Sequence, residues 1–426
     1  MQKMNQAIML SLLLTTGVFV ASSCKKPCKA TYTYSYFEPV YRAKAEVKAN
    51  IKSNAPRAIT NPGKIYQYGN YLFLNEVGKG IHVIDNGNPA APVNKSFISI
   101  PGNVDIAIKG GLLYADLYAD LVVMDIANPM NVVTKSFVDK VFPNRYYGYF
   151  YNGDSSSIIA EWVLKTETVS YDCEENPMVK SFANGCFVMD AGANGSNNTV
   201  GAGANAVPTG IAGSLARFAL VDNYLYAVSD EGLHTFSLMV PHQPLKTNTL
   251  SLPWGVETIY PFQNKLFIGS TTGMHVCDLQ LPSAPRLAGT FSHVRSCDPV
   301  IADGSKAYVT LRGGGLCGGN SNQLDVLDIA NINAPQLLKS YPLTSPMGLG
   351  KDGNLLFVCD GNSGVRVFNA ANPLDLKPIT ILQLNQPMDV IAYNGIALVV
   401  ANAGLYQYDY TNPNQIKWLS TIPVTK

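Results

Sequence analysis

An internal repeat constrains this chain more than any other feature, because a sequence that keeps returning to one pattern must fold as an array of like units. Seven five-residue segments align: Ile81–Asp85, Leu121–Asp125, Leu233–Ser237, Met274–Asp278, Leu324–Asp328, Val365–Asn369 and Leu405–Asp409. Their last residues lie 40, 112, 41, 50, 41 and 40 positions apart. Within each segment the first, third and fourth residues are mostly apolar, the pattern of a strand covered on both faces. Gly stands five residues before the segment end in five copies, at Gly80, Gly232, Gly273, Gly364 and Gly404. A Gly there suits the positive φ of a tight hairpin. Pro stands four residues after the end in six copies, at Pro89, Pro129, Pro241, Pro282, Pro373 and Pro413. Lacking an N–H, Pro marks the loop that closes the strand.

Each unit carries further strand-like runs. One lies just before the Gly, such as Leu112–Ala115 or Leu355–Val358, one earlier, such as Val104–Ile108 or Val390–Tyr393, and one after the Pro, such as Lys135–Val138. Four short strands in about 40 residues is the signature of a β-propeller blade. Seven copies predict an all-β, seven-bladed propeller of four-stranded blades. The segment resembles the LVIVD repeat, found mainly in secreted and lipoprotein β-propellers of Bacteroidetes-type bacteria. The resemblance runs over about 63–426. It implies a fold and an extracytoplasmic address, with little defined chemistry. Two copies end in Ser237 and Asn369 in place of Asp, both small polar residues able to bond the turn backbone.

The spacing of 112 predicts one long insertion after blade two, residues 145–213. In it, Ser157–Leu164 and Thr166–Tyr171 read as a hairpin, and the Gly/Asn/Ala tract 191–213 as a mobile loop. The run Asp172–Pro177 echoes the repeat ending, so an eighth, degenerate blade is an alternative. The spacing of 50 places a Gly-rich loop at Arg312–Asn322.

The first residues give the address. Lys3 and the apolar run Ala7–Val20 fit a secretory leader and are too short to span a bilayer. Ala21-Ser22-Ser23-Cys24 resembles the lipobox of bacterial lipoproteins. That resemblance implies a signal peptide over 1–23, lipidation of Cys24, and an outer-membrane lipoprotein facing the periplasm or the cell surface. Residues 24–62 read as a tether, with a short helix over Glu38–Ile51, leading to the propeller at 63–426.

The envelope is oxidising, so disulfides are allowed. Cys173 and Cys186 flank an Asn-Pro turn and are one candidate pair; Cys297 and Cys317 are another. Cys277 and Cys359 fall in buried strands and read as packed thiols. His82, His234 and His275 share one motif position, which looks like a metal constellation. Equivalent residues in neighbouring blades at the third strand would stand roughly 13 Å apart, from strands about 4.8 Å apart. The position therefore reads as structural, at a blade interface, and neither metal nor cofactor is expected.

No nucleophile elbow, zinc-protease pair or phosphate loop is present. The one charged constellation is at the start of the innermost strands: Lys64, Asp105, Arg217, Glu257, Asp298 and Asp389. In a propeller these would converge at one mouth of the central channel as a ligand site. With 31 basic against 30 acidic residues, nothing favours a nucleic acid partner. The expected function is a lipid-anchored binding or scaffold module with an envelope protein or glycan partner. The alternative is a channel-mouth enzyme, a glycan lyase or lactonase-like hydrolase, although no catalytic residue stands out.

Overall fold

A computed structural model of the chain describes residues 29–142, 157–172, 209–229, 232–296, 299–314 and 319–425. The chain divides into two compact units: a smaller one, 1–40 with 161–189, and a larger one, 41–160 with 190–426.

Among the described residues the larger unit is a succession of seven four-strand antiparallel meanders, each containing one copy of the repeat as its third strand. The first strands are Pro62–Tyr68, Ile106–Lys109, Phe218–Val221, Val256–Phe262, Val300–Asp303, Pro346–Asp352 and Pro387–Tyr393. Each adjoins the next, and the last returns to the first, so the meanders form a closed ring of blades around an axis. Second and third strands are buried almost end to end, since a neighbouring blade covers each face. Six second strands place an aromatic ring at one register position: Phe73, Tyr114, Tyr226, Phe267, Tyr308 and Phe357, all fully buried.

The conserved-looking punctuation acts differently from its sequence reading. Only Gly80, Gly232 and Gly364 of the five motif glycines have positive φ. What all five share is close approach. A Cβ on Gly80, Gly232, Gly273, Gly364 or Gly404 would overlap a carbonyl oxygen of its blade's fourth strand. The motif-end Asp, or its Ser and Asn substitutes, accepts the backbone N–H two residues on, as at Asp85–Gly87, Ser237–Met239 and Asn369–Ala371. The Pro loop then presents its carbonyl to the preceding blade. Tyr114 Oη donates to Pro241 O at 2.9 Å, Tyr226 Oη to Pro282 O at 2.8 Å, and Tyr341 Oη to Pro373 O at 2.9 Å. Ser420 Oγ donates to Pro89 O at 2.6 Å, which joins blade seven to blade one.

Three expectations for the flanking segments are corrected. The helix is confined to Lys44–Ala49, and a strand, Lys29–Ala43, precedes it. Alternating Tyr, Thr and Ser favour the strand, and Pro39 keeps Glu38 out of helical space. Residues 52–54, expected in the tether, pair with Val93–Ser99 as a strand on the outer edge of blade one. Ser157–Asp172 is one continuous strand, not a hairpin. Leu164-Lys165-Thr166 lacks the Gly, Asn or Pro that would turn the chain. In the smaller unit this strand and Lys29–Ala43 form a two-stranded sheet.

Candidate functional site

The inner ring can be aligned by register. In every blade the residue four places before the end of the first strand occupies the same position relative to the first hairpin. From blade one to blade seven these residues are Lys64, Asp105, Arg217, Thr258, Pro299, Gly348 and Asp389. Four of the six charged residues singled out in the sequence therefore fall on the ring. Glu257 is one residue off, in the bulge where pairing slips between Val256 and Thr258. Pro299 holds the position expected for Asp298, which lies outside the described residues. A side-chain period of two makes that single step decisive.

The four ionisable ring residues are consecutive around the axis, in the order Asp389, Lys64, Asp105, Arg217. Lys64 is 4% exposed and Asp105 and Asp389 are each 1% exposed. Lys64 Nζ donates to Asp105 Oδ2 at 2.8 Å. The Arg217 backbone N–H donates to the same oxygen, and Asp105 Oδ1 accepts from Ile106 N at 2.7 Å.

These groups do not line an open mouth, because the chain itself runs between them. Residues 209–217 cross the centre of the ring before entering blade three. Ile211–Ala212 pairs with Gln67 and Tyr66 on the inner edge of blade one. Gly210 N donates to Ile108 O of blade two at 2.9 Å. Ser214 reaches the far side: its N–H and Oγ both donate to Asp389 Oδ1 at 3.1 Å, and its Oγ accepts from Leu349 N at 2.7 Å. Ala216 O accepts from Ile259 N of blade four at 2.9 Å. Small residues make the crossing feasible. A Cβ on Gly210 would overlap the Tyr66 ring, and one on Gly213 would overlap Asp389 Oδ2. On the opposite side, a Cβ on Gly348 would overlap Asp389 Oδ1. The stretch 209–213 is thus an ordered strand and its continuation, where the sequence suggested the end of a mobile loop.

Asp389 is the electrostatic outlier. Its Oδ1 accepts from Ser214 and from Val390 N at 3.0 Å, while its Oδ2 has no hydrogen-bond partner among the described residues. Burial pushes its carboxyl up to about 8, against the opposing pull of those donors and of Lys64. At neutral pH it therefore carries a proton. Burial, with the Asp389 and Asp360 carboxyl groups nearby, holds the Cys359 thiol well above the usual range. Cys277, in blade four, is pushed up to about 12 by burial. Both are buried free thiols.

The motif histidines bridge the second and fourth strands of their own blades, and the His234 ring also packs edge-on against Phe142, which follows blade two. His82 Nε2 meets Glu76 Oε2 at 2.9 Å, with Asn94 at its Nδ1. His234 bridges Ser229 and Thr249, and His275 bridges Ser270 and Thr290. Arg366 fills the same position in blade six and bonds Asp360 at 2.6 Å. Burial lowers all three histidines, His234 to about 4, so they are neutral struts at neutral pH. Among the described residues no three His, Cys, Asp or Glu side chains stand together as a metal site. Cys24 and the disulfide candidates Cys173, Cys186, Cys297 and Cys317 lie outside the described residues.

The LVIVD repeat family matches residues 63–98, 102–140 and 303–342. No curated protein sequence matches the chain significantly. Among solved structures, a functionally unknown protein from Desulfotomaculum acetoxidans is similar at 13% identity and a TM-score of 0.47, over 85% of this chain and 95% of that one. BamB from Moraxella catarrhalis is similar at 9% identity and 0.47, over 91% and 92%. PorZ, a surface component of the type-IX secretion system of Porphyromonas gingivalis, is similar at 13% and 0.47, over 88% of this chain and only 40% of PorZ. The chain thus carries LVIVD repeats, the matched copies lying in blades one, two and five of a closed ring of four-strand β-propeller meanders.

Proposed function

We propose that the chain is a lipid-anchored propeller of the bacterial outer membrane, working as a binding or scaffold module for an envelope protein or glycan. The address rests on the leader and Cys24. The observation that carries the rest is residues 209–217. They occupy the centre of the ring, and Asp389, Asp105 and Lys64 are committed to one another or to this segment. A partner is then met by the blade ends. Connections leaving fourth strands and second strands share the end at which the first strands begin. The long insertion and the Gly-rich loop both depart from that end. So do Trp254 and Val294, both well exposed, with the Arg295 guanidinium 5.6 Å from the Trp254 ring. Among the described residues no helix is long and apolar enough to cross a membrane, so a Cys24 anchor would carry the attachment.

Recovery of partners from envelope extract tests this reading. Deleting 173–208, which spares the central segment, or replacing Trp254 by Ala should reduce recovery without altering the melting temperature. Cys24→Ala should leave unprocessed precursor in the aqueous phase of a detergent partition. Unchanged recovery and unchanged partitioning would sink the proposal. The enzyme reading has one observation in its favour, a carboxylic acid at Asp389 that keeps its proton to about pH 8. Hydrolysis or elimination of glycan fragments that is abolished by Asp389→Asn would support it.

A further inference from the structure

The two-stranded sheet of the smaller unit has no third strand among the described residues. Its register is antiparallel: Thr33 faces Thr168 at 2.8 Å, the Tyr34 hydroxyl donates to Glu167 Oε2 at 2.9 Å, and Ser35 faces Thr166 at 3.0 Å. Tyr32, Tyr34 and Tyr36 follow one another along one face with centroids 5.9 Å apart, the first two rings stacked and the third tilted by 32°. Ribbons of two strands are marginal in water, and an unpaired edge is a template for another strand. The Ser157–Asp172 strand contains no Gly or Pro to blunt that edge, and Leu164–Thr168 are all exposed.

The sequence of this edge is a charge palindrome. Val163-Leu164-Lys165-Thr166-Glu167-Thr168-Val169 reads symmetrically about Thr166, with opposite charges one step to each side. In an antiparallel pair the residues directly opposite share a face. If a second copy pairs about a two-fold axis at Thr166, Lys165 meets the partner's Glu167, and Glu167 meets the partner's Lys165. Val163 and Val169 meet one another in the same way, twice. Within Val163–Val169, the first step from the axis matches charge with opposite charge and the third matches apolar with apolar, while Leu164 meets Thr168 at the second. A strand of unrelated sequence would match this edge only by coincidence, whereas a second copy matches it by symmetry.

We propose that the free edge of Ser157–Asp172 is a homodimer interface, two copies pairing antiparallel about Thr166 to make a four-stranded sheet. Sedimentation of the full-length chain in detergent across a concentration series should show a reversible monomer–dimer equilibrium. Lys165→Glu places like charges opposite at both symmetric sites and should weaken the dimer by roughly ten-fold or more, and Glu167→Lys should do the same. The double swap Lys165→Glu with Glu167→Lys should return the dissociation constant to within about three-fold of the unmodified chain. That recovery has no source inside one copy. The double swap still lacks the Tyr34–Glu167 bond and the Lys165–Glu38 pair at 3.5 Å. As a second measurement, Thr166→Cys should give a reductant-sensitive dimer on oxidation, above the level of the unmodified chain. A monomer at every concentration overturns the proposal. So does a dimer indifferent to the single swaps, a double swap no better than the singles, or no added crosslinking by Thr166→Cys.

Discussion

The two arcs of the inner ring solve the same problem with opposite chemistry. Blades seven, one, two and three place Asp389, Lys64, Asp105 and Arg217 at the shared register position; blades four, five and six place Thr258, Pro299 and Gly348 there. The ring encloses a centre crossed by residues 209–216, which lead into Arg217. The charged arc binds that segment and ties neighbouring blades together. The neutral arc makes room, most directly at Gly348, where a side chain would displace the Asp389 carboxylate. Charge at a propeller's inner ring is therefore no sign of a ligand by itself. Here it is the local cost of threading a polar backbone through a place where water would otherwise satisfy it.

The contrast can be broken by substitution. Lys64→Met leaves the buried Asp105 carboxylate without its cation and should destabilise by about 3–5 kcal/mol in urea unfolding. Adding Asp105→Asn should restore most of the loss; no restoration would mean that Lys64 acts through packing alone. Asp389→Asn should do the reverse. The Asp389 carboxyl is raised from its ordinary 3.8 to about 8, so from pH 4 to 8 the unfolded chain releases a proton that the folded chain keeps. Stability of the unmodified chain therefore falls as pH rises through that window. The variant lacks this slope and should gain on it, by on the order of a few kcal/mol at pH 8. An unfolding midpoint difference that stays constant from pH 4 to 9 would remove the buried-acid account. Gly213→Ala drives a methyl into Asp389 Oδ2 and should cost about 1–3 kcal/mol, relieved when Asp389 is also Ala. Pro299→Ala, in the neutral arc, should cost under about 1 kcal/mol, by loosening the unfolded chain. Equal losses at Pro299 and Gly213 would erase the distinction between the arcs.

The blade pattern was legible because it is local: alternation, a Gly, an Asx turn and a Pro recur within about 40 residues. Lys64, Asp105, Arg217 and Asp389 were legible as a set for the same reason. Their purpose was not, since it depends on Ser214, more than 100 residues from each of Lys64, Asp105 and Asp389. Glu257 was misplaced because a bulge shifts register by one without leaving a compositional trace. The clue to the crossing was Gly210-Ile211-Ala212-Gly213-Ser214, small residues spaced for close approach, hidden at the end of a Gly-rich tract. The supposed hairpin failed on a turn that its residues could not make.

The crossing segment also fixes an order of events. Residues 209–217 leave the ribosome before blades four to seven, yet two of the groups that grip Ser214, the Leu349 N–H and the Asp389 carboxyl, belong to blades six and seven. Both of these grips on Ser214 therefore form only once blades six and seven have been made. A chain halted before Pro346 would expose Ser214 with neither grip formed. Commitment to the closed ring is thus deferred until almost the whole chain has been made.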